Sequence, residues 1–195
     1  MGLLREGINE VIATTHRNAA PIGFICRDGR VSLVLFHGSH TEENVREHGW
    51  IVANIVFDPV LYVRTAFTDL PPSAFVTETV AGISVERLRE AEAWAAFSIA
   101  EARDTGEALV VRLHPLHEEI IAPVVRPVNR GFSAIIEATV HATRYIFSRD
   151  SALKTLIDHH AALARKCGGP REWEALDLLQ DFIGKALTAD EKETA

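Results

Sequence analysis

Residues 36–58 read FHGSHTEENVREHGWIVANIVFD, and this stretch constrains the fold more than any other part of the chain. An apolar run of strand length, 31–36, ends in His37-Gly38-Ser39-His40-Thr41. A polar helical turn follows, and then a second apolar run, 50–57, that carries a lone Asn54. Ser39 with Glu42 three residues later has the spacing of a capping box, so a helix is expected to begin here, and Gly49 after Arg46 and His48 is a suitable stop. Free backbone N–H groups at a helix start attract anions. The hydroxyls of Ser39 and Thr41 and the rings of His40 and His37 are expected to converge on the same point, a layout that can hold a phosphate. The same spacing also describes an ordinary capped helix between two strands.

With 195 residues, 47% of them hydrophobic and 24% charged, the chain can build one substantial domain or two small ones around a real core. Net charge is −7 and no run of Lys or Arg alternates with aromatics, which argues against nucleic acid as a partner. No segment approaches the roughly 20 apolar residues that span a bilayer, so no membrane partner is expected. Gly2 is followed by Glu6 where a myristoylation motif needs Ser or Thr. Cys26 and Cys167 fit neither a metal pair nor a disulfide framework, and a cytoplasmic setting is expected.

Strands are expected at 8–15, 21–26, 31–36 and 50–57, each rich in β-branched residues and bordered by turn residues. Asp28-Gly29 predicts a hairpin between the second and third. The run 50–57 is apolar on both faces, as in an interior barrel strand or one covered by a partner subunit. Asp69-Leu70-Pro71-Pro72 reads as loop, 85–92 as a short helix, and 94–102 with 108–113 as a hairpin around Asp104-Thr105-Gly106. After Pro127 the texture turns helical. Helices are expected from Asn129 to about Phe147, from a cap at Asp150 or Ser151 to Cys167-Gly168-Gly169, and from Pro170 onward, with a charged tail at 188–195. Apolar residues at helical spacing, among them Leu156 and Trp173, suggest an antiparallel three-helix cluster.

Taken in order, these pieces resemble the FMN-binding split β-barrel of flavin reductases and pyridoxamine-phosphate-oxidase-like proteins. The chain is most similar to a prokaryotic, mainly archaeal family of unknown function within that group. The resemblance rests on Glu6-Gly7-Ile8-Asn9-Glu10, Asn18-Ala19-Ala20-Pro21-Ile22-Gly23, Gly38-Ser39 with Thr41-Glu42-Glu43-Asn44, and Asn54-Ile55 with Asp58-Pro59. It continues in Arg126-Pro127-Val128-Asn129-Arg130-Gly131 and Ile135-Ile136-Glu137-Ala138. It implies an α+β protein, with a split-barrel flavin domain over 1–125 and a helical domain over 126–195, and a homodimer that holds FMN at its interface. By the same resemblance Ser39, His40 and Thr41 fall where such barrels grip the FMN phosphate, and His37 and Gly38 of the same loop are expected to bind beside them. Asn44 lies on the next helical turn, and Asn18 with Ala19 sits near the flavin ring. One departure is that the loop offers His40, Glu42 and Glu43 where flavin reductases commonly have Arg or Lys, which leaves neutral donors, Arg130 or Arg17 for the phosphate.

The function implied is FMN binding, either as a flavin-dependent oxidoreductase acting on a small molecule or as a non-catalytic flavin- or nucleotide-binding module. No acid, base or nucleophile stands out near the loop. Other constellations are weaker, and no metal is expected. Pro115 breaks any helical spacing between His114 and His117, Glu137 and His141 share a helix face as an ion pair would, and His159-His160 are expected on the surface because adjacent helical side chains diverge by about 100°. Cys26 is expected to be a packed thiol. Gly-x-Ser-x-Gly, Gly-x-Gly-x-x-Gly and Walker sequences are missing.

Overall fold

The apolar runs become six strands: β1 (Gly7–Thr15), β2 (Asn18–Arg27), β3 (Arg30–Phe36), β4 (Trp50–Ile55), β7 (Ala93–Asp104) and β8 (Ala108–Ile120). They close an antiparallel barrel in the order β1-β2-β3-β8-β7-β4, with β4 returning to pair with β1 from Ile12↔Asn54 to Thr14↔Val52. Between β3 and β4 the chain forms α1 (His40–His48), and between β4 and β7 it forms α2 (Pro59–Phe67) and a hairpin of β5 (Phe75–Val80) and β6 (Ile83–Leu88). The helices α3 (Arg130–Ser148), α4 (Ser151–Cys167) and α5 (Pro170–Glu193) follow. This computed structural model describes residues 2–193. Thus the expected charged tail is helical to Glu193, and its last two residues lie outside the described residues.

Two compact units result, one of Met1–Phe57 with Asp69–Val125 and one of Asp58–Thr68 with Arg126–Ala195. In the first, side chains alternate along the strands, and those pointing inward, such as Phe24, Leu33, Ile51, Phe97 and Val111, fill the barrel with almost no exposure. The hairpin over β5 and β6 corrects the expected helix at 85–92. Val85 and Leu88 stand three apart, which mimics a helical face. In fact Ala81 and Gly82 adopt the left-handed backbone, with φ of 50° and 79°, and turn β5 back onto β6.

That hairpin also explains why β4 is apolar on both faces. Ile51 and Ala53 face the barrel core, whereas Trp50 and Val52 pack with Val80 and Val85 of the hairpin. The cover comes from the same chain. Asn54, fully buried in the middle of β4, joins the layers: its Nδ2 donates to the Ile12 carbonyl at 2.9 Å and to Thr14 Oγ1 at 3.0 Å, and its Oδ1 accepts from the Leu88 amide at 2.7 Å. A buried amide is tolerated only when its donors and acceptor are matched in this way.

The second unit contains four helices rather than three, because α2 joins it. Val60 and Val63 share one apolar cluster with Ile135, Ile157, Leu176 and Leu179. Asp58 caps α2 by accepting from the Val60 amide at 3.0 Å, Pro59 occupies the first helical turn, and Arg171 of α5 clamps the Asp58 carboxylate through Nε at 2.9 Å and Nη2 at 2.6 Å. Asn129 caps α3 by accepting from the amides of Gly131 and Phe132, and its Nδ2 donates to Glu172 at 2.9 Å. These two knots account for the Asp58-Pro59 and Val128-Asn129-Arg130-Gly131 sequences. Trp173 and Leu156, expected to face the core, are each 41% exposed. No helix among the described residues is long and apolar enough to cross a membrane.

Candidate functional site

The left-handed Gly38 (φ 75°) turns the end of β3 into α1. Ser39 caps the helix: its Oγ accepts from the Glu42 amide at 3.3 Å and donates to the Phe36 carbonyl at 2.8 Å. Gly49 ends the helix in the left-handed conformation at φ 72°, as expected. The capping box, however, closes on one side only. The Ser39 amide donates to the Phe36 carbonyl, and the Glu42 carboxylate turns toward Arg46 and His37.

Glu42 is buried and lies at the centre of a charge network that sequence reading missed. Arg46 Nε donates to Glu42 Oε1, Arg46 Nη2 donates to Asp104 Oδ2 at 3.0 Å, and the His37 ring lies 3.4 Å from Glu42 and 3.2 Å from Asp104. Hydrogen bonding and charge from Arg46, with a smaller contribution from His37, hold the Glu42 carboxyl below the usual carboxylate range despite its burial. Asp104 is lowered first by the Gly106 amide and then by Arg46 and His37. The only sequence signal for this network was Glu42 four residues before Arg46 on a helix. Asp104 is the last residue of β7, and no spacing rule connects it to the others.

The network occupies the ring of His37 with carboxylates. It leaves the helix start itself with the amides of His40 and Thr41, which have no intrahelical acceptor by the geometry of a first turn. Thr41 Oγ1 is buried and accepts from Asn18 Nδ2 at 2.8 Å, so its own hydrogen is free to donate. Ser39 has already used its hydrogen on Phe36. His40 is exposed, Asn44 Nδ2 donates to the Thr15 carbonyl at 3.1 Å, and Ala19 is buried beside Asn18 on β2. Thr41 through Asn18, and Asn44 through Thr15, are therefore tied to the strand ends that flank the β1–β2 turn, whereas Ser39 stays with Phe36 at the end of β3. That turn is strained: His16 and Arg17 are non-glycine residues at φ 45° and 60°, with the His16 ring 4.1 Å from the His48 ring. Arg17, one cation suggested for the phosphate, is instead 3.6 Å from Glu86.

The other constellations resolve differently. His114 and His117 are exposed on β8, with the His117 ring 4.9 Å from Trp94. Cys26 is a buried thiol whose pKa is pushed up, mainly by burial and then by Glu6. His160 departs from expectation. It is half-buried and faces His141 across the α3–α4 contact, because its neighbour His159 takes the outward position.

A closed six-strand antiparallel barrel followed by helices is the FMN-binding split-barrel fold, and it defines the structural class of this protein. Within that class, the chain belongs to the DUF447 family of proteins of unknown function, whose N-terminal domain matches residues 9–122 and whose C-terminal domain matches residues 129–181. The FMN-bound protein MM1853 of Methanosarcina mazei is 41% identical, with a TM-score of 0.87 over 91% of this chain and 96% of its own. An uncharacterized protein of Methanocaldococcus jannaschii is 38% identical over 66 residues, which span 32% of this chain and 33% of that relative. The styrene monooxygenase flavin reductase of Pseudomonas putida S12 superposes with a TM-score of 0.45 at 17% identity, over 60% of this chain and 82% of its own.

Proposed function

We propose that this protein binds FMN at the start of α1 and uses it as a flavin reductase-like oxidoreductase on a small molecule. The carrying observation is the 41% identity, over nearly the whole chain, to a protein solved with FMN. In this reading the phosphate accepts hydrogen bonds from the amides of His40 and Thr41 and from the Thr41 hydroxyl, favoured by the positive end of the helix. Gly38 and Ser39 shape the loop, and Arg46 offsets the Glu42 and Asp104 carboxylates that would otherwise repel the phosphate. The flavin ring reaches toward Asn18 and Ala19, near Asn44. The bound flavin supplies the redox chemistry, and the chain supplies placement and electrostatics.

A homodimer completes the pocket in this proposal. Strand β4 does not call for it, since the hairpin of the same chain covers that strand. Val34 and Phe36, two apart on the outward face of β3 and 42% and 63% exposed, support it instead. A second reading, a flavin-binding module without turnover, is favoured by the commitment of His37, Glu42 and Asp104 to one another, which leaves no free acid or base in that network.

Titration of the purified protein with FMN, followed by flavin absorbance and fluorescence, tests the binding. Saturation at micromolar FMN is expected, and no binding at that level would overturn the proposal. NAD(P)H oxidation by the loaded protein separates the two readings, with turnover expected for the oxidoreductase. Sedimentation should report twice 21.5 kDa, and a monomer with full FMN affinity would remove the interface from the site.

A further inference from the structure

We propose that Glu137, His141 and His160 form a site for one divalent transition-metal ion of the zinc class, clasped between α3 and α4. Glu137 and His141 are four residues apart on α3 and so project from the same face, and His160 meets them from α4. One ligand atom from each of the three lies within 4.8 Å of the other two. Three donors around a zinc ion at ordinary bond lengths stand about 3.3 Å apart, so side-chain rotation has at most about 1.5 Å to close.

The imidazoles supply the second, independent observation. The rings of His141 and His160 stack at 5.5 Å and 24°, and the Nδ1 atom of each is buried without a hydrogen-bond partner. Buried ring nitrogens are rarely left unmatched, and two such atoms on facing helices ask for a shared partner. Glu137 is exposed, so an ion can enter from its side and keep a water as the fourth ligand. Two imidazoles and one carboxylate suit Zn²⁺, Co²⁺ or Fe²⁺ and not the oxygen-seeking Mg²⁺ or Ca²⁺. The site lies wholly in the helical unit and does not depend on FMN binding.

The test uses the full chain, stripped with a chelator and titrated with Co²⁺ and then Zn²⁺. One ion per chain is expected, with the intense visible bands of four- or five-coordinate Co²⁺ that Zn²⁺ abolishes. His141→Gln and His160→Gln should each weaken binding by at least about 100-fold, since loss of outer-shell partners already costs 10- to 100-fold. FMN affinity, measured on the same samples, should not change. Where a variant misfolds, ¹H–¹⁵N spectra of the wild-type imidazoles decide: the resonances of His141 and His160 should move on adding Zn²⁺. Absence of binding, a pale octahedral Co²⁺ spectrum, or equal affinity in a folded His160→Gln variant would overturn the proposal.

Discussion

Thr41 and Ser39 are both hydroxyl residues of one loop, yet their hydrogen bonds give them different tasks. Ser39 spends its hydrogen on the Phe36 carbonyl and caps α1, whereas Thr41 accepts from Asn18, which leaves its hydrogen for the phosphate proposed above. Thr41→Val should therefore weaken FMN binding by roughly 10- to 100-fold, the loss of one hydrogen bond to a charged acceptor at about 1.5–3 kcal/mol. Ser39→Ala should mainly cost about 1 kcal/mol of stability as a lost helix cap. Isothermal titration and urea melts of the two variants check this, and equal affinity losses would contradict the division of labour. Glu42 permits a second test at this scale. Its folded pKa is depressed by Arg46, so its stabilising contribution is complete above the ordinary carboxylate value of about 4.3 and is lost as pH falls through the lower folded value. Urea midpoints of Glu42→Gln should lie below wild type at neutral pH, and the gap should narrow as the solution is acidified.

Among the elements, the β5–β6 hairpin has the widest structural effect relative to its size. It covers Trp50 and Val52, and the Leu88 amide that closes onto Asn54 belongs to it. Asn54→Ala removes a group that satisfies two carbonyl or hydroxyl acceptors and one amide in a place without exposure. Leaving the Leu88 amide and the Ile12 carbonyl short of partners should cost about 3 kcal/mol in chemical denaturation. A loss under about 1 kcal/mol would mean that water replaces the side chain. In the helical unit, a Cβ added at Gly131 would stand 2.4 Å from the Gly168 Cα. Neither backbone can yield there, so Gly131→Ala should lower stability by about 1–3 kcal/mol, read as a drop in melting temperature.

For the whole molecule, the border between units matters more than its position in sequence suggests. A cut at 125/126 leaves α2 with the barrel fragment, although Val60 and Val63 belong to the helical core. The 1–125 fragment should self-associate on a sizing column, and a monodisperse fragment would contradict this. Residue patterns alone revealed the strands β1 to β4, the β7–β8 hairpin, the cap at Ser39, the helix start at Asn129, a cap at Asp150 or Ser151, and the three C-terminal helices, because each depends on neighbours within a few positions. The capped turn proposed for the phosphate was legible for the same reason: its cap, glycine and hydroxyls are contiguous. Tertiary structure alone decided what depends on distant partners. It made residues 83–88 a strand because β4 needed a cover, and it moved α2 into the helical unit because its apolar face matched α3 and α5. It turned Glu42 from a cap partner into the centre of a network with Asp104, and it brought His160 against His141. In each case local propensity was weak or ambiguous, and burial of apolar surface and pairing of charge across the fold outweighed it.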